Sequence, residues 1–144
     1  VCTLDGAVAG YAYASRFASR TAYQWVVEVS AYVGADHHRR GVGRALYESL
    51  LAVSSRQGFV EAYAGIALPN EASVGFHESM GFAHHTTYPA VGYKFGDWLD
   101  VGWWRRPLGD RPDDPDPPLS IEEARTEPWW ESAVAAGEDR LVGE

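Results

Sequence analysis

The 144-residue chain is long enough for one domain with a buried core, and its 46% hydrophobic and 13% aromatic content fits a folded protein. Its formal net charge of −8 arises at one end: residues 1–106 hold nine acidic and nine basic side chains, whereas residues 107–144 hold eleven and three. The first stretch therefore lacks the basic field of a nucleic-acid binder, the single cysteine, Cys2, excludes an internal disulfide and fits a reducing cytoplasm, and no apolar run approaches the roughly 20 residues of a membrane helix.

A strand pattern is already under way at Val1, which predicts a fragment or a mis-assigned start, and no secretory signal is visible. Two apolar runs, 1–4 and 7–14, flank Asp5-Gly6, a hairpin signal because both central turn positions need positive φ. Residues 15–24 read as a loop carrying Arg16, Arg20 and Tyr23. Residues 25–33 form a strand with one charge, Glu28, in an otherwise apolar run. The turn Asp36-His37-His38-Arg39-Arg40-Gly41-Val42-Gly43-Arg44 then opens a helix whose apolar or small residues fall at 42, 45, 46, 49, 50 and 53. It runs to about Gln57, with Gly58 suited to the C-terminal cap. Residues 59–66 read as the next strand, so the strand–helix–strand spacing predicts a right-handed parallel pair. A short helix spans about Glu71 to Met80 and stops at Gly81. Residues 84–93 and 98–106 are two further strands joined around Phe95-Gly96-Asp97.

Composition changes at Pro107. Six of the eight prolines lie in 107–128, and Asp110 to Pro118 is too proline-rich and too acidic for regular structure. A short helix fits 120–136, but composition predicts that most of 107–144 is disordered when alone. The division expected is a domain over 1–106 and an acidic, Pro-rich tail over 107–144. The fold class is α/β with a mixed sheet.

Four features carry chemistry. At the glycine turn, free N–H groups and the helix dipole favour an anion, and Arg39, Arg40 and Arg44 add positive charge. A nucleotide P-loop would need Gly-Lys-Ser/Thr where the chain has Gly43-Arg44-Ala45, and a dinucleotide fingerprint needs a glycine where Leu46 stands. The pyrophosphate of coenzyme A or a plain tight turn remain. Glu28 in an apolar strand should have a raised pKa, as a general base does; the alternative is a structural pair with Arg20. His77 titrates near neutrality and suits acid or base work, or simply packs on the sheet. Arg20 and Tyr23 offer a guanidinium and a hydroxyl on one loop, or are solvated loop residues. His37, His38, His84 and His85 form two adjacent pairs without cysteine or carboxylate partners, so no metal site is expected.

The run His38-Arg39-Arg40-Gly41-Val42-Gly43 resembles the Gln/Arg-x-x-Gly-x-Gly/Ala motif of the GNAT acetyltransferase superfamily. Asn70-x-x-Ser73-x-x-x-His77-Glu78-x-x-Gly81-Phe82 resembles its second segment. More narrowly, Gly10-Tyr11-Ala12-Tyr13-Ala14, Ala22-Tyr23-Gln24-Trp25-x-x-Glu28, Leu68-Pro69-Asn70, Ala90-x-Gly92-Tyr93-Lys94 and Trp98-x-Asp100-Val101-Gly102 resemble the phosphinothricin N-acetyltransferase group, in order across residues 1–106.

The resemblance implies two parallel strands, 25–33 and 59–66, that splay apart around acetyl-CoA. It implies that the family's first strand and the following helices precede Val1. It assigns the pantetheine arm to backbone groups of Ala31, Tyr32 and Val33 and to Asn70, and the pyrophosphate to the amides of Arg39, Arg40, Gly41, Val42, Gly43 and Arg44. Glu28 becomes the base, His77 the acid for the leaving thiolate, and Arg20 and Tyr23 the substrate loop. The family's lysine two residues before Arg20 is Ala18 here, His38 replaces Gln or Arg, and Phe95 stands where relatives often have histidine. The implied activity is acetyl transfer to the amine of a small amino acid such as phosphinothricin or a methionine sulfoximine or sulfone analogue, without metal. Alternatives are another amine, such as a polyamine or a protein N-terminus, and a truncated, non-catalytic CoA-binding module. Related enzymes are often dimers, which leaves room for a homodimer.

Overall fold

The computed structural model describes residues 1–141. Six strands form one sheet in the order β1-β2-β3-β4-β6-β5. Strands β1 (Cys2–Leu4) and β2 (Ala7–Arg16) are joined at Asp5 (φ 51°) and Gly6 (φ 79°), the mirror-image turn that Asp-Gly favours. Strand β3 (Val26–Val33) pairs antiparallel with β2 through Gly10↔Val33, and β4 (Glu61–Leu68) pairs antiparallel with β6 (Asp97–Pro107) through Leu68↔Asp100. Strand β5 (Ala83–Lys94) and β6 turn at Phe95 (φ 53°) and Gly96 (φ 83°), again two successive left-handed residues.

The two halves of the sheet meet only at β3 and β4. Their parallel register holds for Val26↔Glu61, Val27↔Ala62 and Glu28↔Tyr63 and then ceases, although β3 continues to Val33 and β4 to Leu68. Beyond Glu28 the strands diverge, and each is left with backbone groups that have no ladder partner on the facing edge.

Helix α1 (Val42–Gln57) crosses between these strands and ends where Gly58 takes φ 104° and donates its N–H to Ser54 and Ser55 carbonyls. The apolar stripe at 42, 45, 46, 49, 50 and 53 is wider in the structure: Tyr47, Leu51 and Ser54 are buried too, while Ser49 and Leu50 are half-buried. The helix is covered on two sides. One side packs with Val27, Val29, Ala62, Ala64, Ile66, Met80, Phe82 and Trp104 in the main core. Helix α2 (Glu71–Ser79) lies on that same side of the sheet, with Asn70 Oδ1 capping it by accepting from the Ser73 N–H at 3.1 Å.

The other side of α1 carries the chain beyond β6. Composition predicts disorder there, but the structure runs residues 107–141 against the domain. The Leu108 and Leu119 amides donate to Val60 and Gln57 carbonyls, Trp25 Nε1 donates to the Asp116 carbonyl at 2.8 Å, and Arg111 meets the buried carboxylate of Glu61 at 2.8 Å. Short helices α3 (Ile121–Ala124), with a Ser120/Glu123 capping box, and α4 (Trp130–Val134) follow, then a 3-10 turn over Ala135–Arg140. Ala124 and Ala133 are buried. Proline and aspartate dominate the average composition, but a few small apolar residues suffice once α1 offers them a surface. Residues 142–144 lie outside the described residues.

Candidate active site

Alternation along β3 assigns its two faces. Val27 and Val29 enter the core with Tyr47 of α1, so Glu28, Ser30 and Tyr32 point to the opposite face of the sheet. There Glu28 has Ser15 of β2 and Tyr63 of β4 as its cross-strand neighbours. It is half-buried rather than buried, and among the described residues it makes no ion pair, with Arg20 or any other cation. Glu28 therefore stands at the last paired position before the strands part. Aromatic rings share this face along the strands: Phe17 packs on Tyr63 at 5.0 Å, Tyr11 stacks on Tyr32 at 5.2 Å, and Tyr13 pushes the Tyr32 hydroxyl pKa upward. Among the described residues no helix covers this face, since α1 and α2 lie on the other.

On the helix side a cleft of about 610 Å³ opens between the end of β3, the start of α1 and α2. Its walls include Ala31 and Val33, Arg39 and Arg44, Gly41, Val42 and Gly43, and Asn70 and His77. No side chain caps the start of α1, where Gly41 adopts φ 79° and Arg39 φ 63°. The first-turn N–H groups are thus left for a ligand, and two guanidinium groups add positive charge. A Cβ at Gly43 would rest in ordinary contact with the Phe76 ring at 3.5 Å and with Val33 at 3.7 Å. An anion, followed by an extended chain along the unpaired edge of β3, fits both the charge and the shape. Of the residues that the sequence groups here, Arg40 does not line the cleft, and Tyr32 contributes backbone to the strand while its ring faces away. Arg20 and Tyr23 sit outside the cleft on an exposed 3-10 turn, Thr21–Tyr23.

His77 is 8% exposed and Tyr47 1%. Tyr47 Oη lies 2.9 Å from His77 Nε2, and His77 Nδ1 lies 2.7 Å from the Ser73 carbonyl oxygen. A carbonyl only accepts, so Nδ1 carries the proton, Nε2 is bare, and the tyrosine hydroxyl donates to it. Burial pushes the imidazole pKa below its ordinary value, against the smaller opposing effect of the Ser73 carbonyl, and pushes the Tyr47 hydroxyl pKa up. Phe76 and Phe82 enclose the ring edge-on at 5.3 and 5.4 Å. His77 is thus a neutral imidazole of fixed tautomer in a dry wall of the cleft. Tyr47, Ser73 and Phe76 escape a reading of the sequence alone. The spacing Asn70-x-x-Ser73 does signal a helix cap, but nothing local marks Tyr47 as the partner of a histidine thirty positions on.

Residues 1–103 match the acetyltransferase (GNAT) domain. The chain belongs to the GNAT acetyltransferase family. Phosphinothricin N-acetyltransferase of Streptomyces viridochromogenes is 46% identical over 106 residues, covering 74% of this chain and 58% of that protein. An L-methionine sulfoximine/L-methionine sulfone acetyltransferase of Salmonella typhimurium is 37% identical over 106 residues, with 74% and 62% covered. The crystal structure of a phosphinothricin acetyltransferase from Sinorhizobium meliloti in complex with acetyl-CoA superposes with a TM-score of 0.69 at 40% identity, covering 72% of this chain and 56% of that one. This GNAT chain therefore spans little more than half the length of these relatives. The parted strands and the mixed six-stranded sheet are those of the GNAT fold. Among the described residues no helix is long and apolar enough to cross a membrane, and no group of three or more His, Cys, Asp or Glu side chains is arranged to hold a metal.

Proposed function

We propose that this domain binds acetyl-CoA in the cleft and transfers its acetyl group to the amine of a small amino acid. The observation that carries the reading is the gap between β3 and β4, with Glu28 at its apex on one face and the Tyr47–His77 pair on the other. A reacting group held in the gap would be reached from both sides. Acetyl-CoA, when bound, supplies the activated acyl group.

The amides of Arg39 to Arg44 hold its pyrophosphate, in keeping with the uncapped helix start. Backbone groups of Ala31, Tyr32 and Val33, with Asn70, align the pantetheine arm. Glu28 takes a proton from the incoming ammonium, because only the neutral amine attacks a thioester. Nδ1–H of His77 is committed to Ser73 and Nε2 is bare, so the donor of this pair that can turn to the leaving sulfur is the Tyr47 hydroxyl. It would steady the thiolate as a hydrogen-bond donor while keeping its own proton, and the thiolate would take its proton from solvent.

For the acceptor, the relatives named for phosphinothricin and for methionine sulfoximine and sulfone support a small amino acid whose carboxylate meets Arg20 and Tyr23. The cytoplasm is the proposed place of work. Release of free thiol from acetyl-CoA in the presence of phosphinothricin, methionine sulfoximine or methionine sulfone tests the proposal. Turnover is expected on at least one of them and not on spermidine, whose cations would meet Arg20. The uncovered aromatic face around Tyr13 and Tyr32 favours one second reading, a CoA-binding module without catalysis. Acetyl-CoA binding with no turnover on any amine would select it.

A further inference from the structure

The family match ends at residue 103, yet the segment that follows α4 seats on the first turns of α1. A side chain on Gly41 would overlap the Arg140 carbonyl, and one on Gly137 would overlap the Ala45 carbonyl, so the two backbones touch directly. The Gly137 N–H donates to Ser49 Oγ at 3.1 Å, and Leu141 packs beside Val42 and Leu46. The end of the tail therefore lies against the outer side of the same turn whose inner side lines the cleft.

One charged group links the two sides. Arg140 shares its Nε–H between both carboxylate oxygens of Glu48, each at 3.0 Å. Glu48 is also one helical turn beyond Arg44, whose Nη1 stands 3.9 Å from Oε1. Arg44 lines the cleft, and its other terminal nitrogen reaches Ser79 Oγ at 3.5 Å. Glu48 is thus contested by one cation from the tail and one from the cleft, and the tail holds it at the shorter distance. Without Arg140 the carboxylate would be left with Arg44, its i,i+4 neighbour, and would draw that guanidinium away from the open helix start.

We propose that Arg140 is a positioning residue for the cofactor: by engaging Glu48 it leaves Arg44 free to face a phosphate of acetyl-CoA. The inference rests on the cleft being the acetyl-CoA site. It gives the acidic tail a task that its composition conceals, since one of its three basic residues is the one that matters at the cleft.

Calorimetric titration of the full chain with acetyl-CoA and with acetyl-pantetheine, which has the thioester arm but no phosphate, tests it. R140A should weaken acetyl-CoA binding about twofold to fivefold at low salt, the range of an exposed ion pair. It should leave acetyl-pantetheine unaffected, and the difference should shrink in strong salt. R140K should retain binding. The E48Q/R140A double variant should return to the wild-type value; it carries the same truncation, so a loss from disturbed packing would persist in it. Unchanged acetyl-CoA affinity in R140A overturns the proposal, as does an equal loss for both ligands. Failure of the unaltered protein to bind acetyl-CoA overturns the cofactor reading instead.

Discussion

Tyr47 Oη stands 2.9 Å from His77 Nε2, and with Ser73 on the other ring nitrogen this contact decides where the imidazole proton sits. Replacing Tyr47 with Phe keeps the ring and its packing against Phe76 and Phe82 but leaves Nε2 buried without a donor. The loss of an acceptor's partner in such a place costs about 1–3 kcal/mol. Chemical denaturation of Y47F should show a destabilisation in that range. Long-range nitrogen–proton NMR should show a single Nδ1–H tautomer at His77 in the unaltered protein and a shift of the Nε2 resonance in the variant, with slower acetyl transfer.

Among the described residues Glu28 is the carboxylate at the last β3–β4 pair before the strands part. Glu28→Gln preserves its size and takes away only the proton acceptor. Turnover should fall by about 10²–10⁴-fold, the usual contribution of a general base. The affinity for acetyl-CoA should stay as it was, because the cleft lies on the opposite face. Unchanged turnover would remove Glu28 from the mechanism.

The depressed His77 pKa has a consequence for stability in acid. Its unfolded counterpart takes up a proton as the pH falls through the ordinary value of 6.5, while the buried ring does not until the pH is lower. The unfolded state then binds more protons, so stability falls with pH in that window. The contribution is whole above 6.5 and is lost as the pH drops through the folded-state value. Urea unfolding across a pH series should reveal this slope in the unaltered protein and a flatter one in H77Q.

Gly41 tests how the tail is held. At φ 79° an alanine costs about 1–2 kcal/mol by backbone strain, and its methyl would also meet the Arg140 carbonyl. G41A should lose at least that stability and should loosen residues 135–141. Trypsin would then cut after Arg125 and Arg140 faster than in the unaltered protein.

Local signals were the readable ones. Asp5-Gly6 and Phe95-Gly96 sit in turns that need consecutive left-handed residues, and Gly58 and Gly81 stop helices, so their chemistry names their positions. The parallel pairing of β3 and β4 follows from the helix between them. The glycine turn with Gly41, Gly43 and Arg44 reads as an anion site by its residues, the resemblance to the GNAT segments adds Asn70 and His77, and the structure gathers all five around one space. What stayed hidden depends on distant partners. Tyr47 reads as one more core residue until His77 is brought beside it. The ordering of residues 107–141 depends on a face of α1 that no window of the tail contains. Glu28 reads as buried because its strand is apolar, but the strand has two faces, and only β3's register with Val27 and Val29 shows that it lies on the uncovered one.

The three register pairs between β3 and β4 make the middle of the sheet its thinnest seam. Antiparallel ladders knit each half separately, β1-β2-β3 on one side and β4-β6-β5 on the other, and Tyr47 and Leu51 of α1 pack in one core with residues of both. A chain of amides laid in the opening would act as a missing rung. It would bond to both edges and couple the two blocks more tightly. Ligand binding would then show as mechanical joining of the two blocks: exchange of the amides of residues 29–33 and 64–68 would slow together, and the melting temperature would rise with ligand concentration. If the proposed acyl donor binds there, it would be a structural member of the sheet as well as a reactant, and each turnover would remove it.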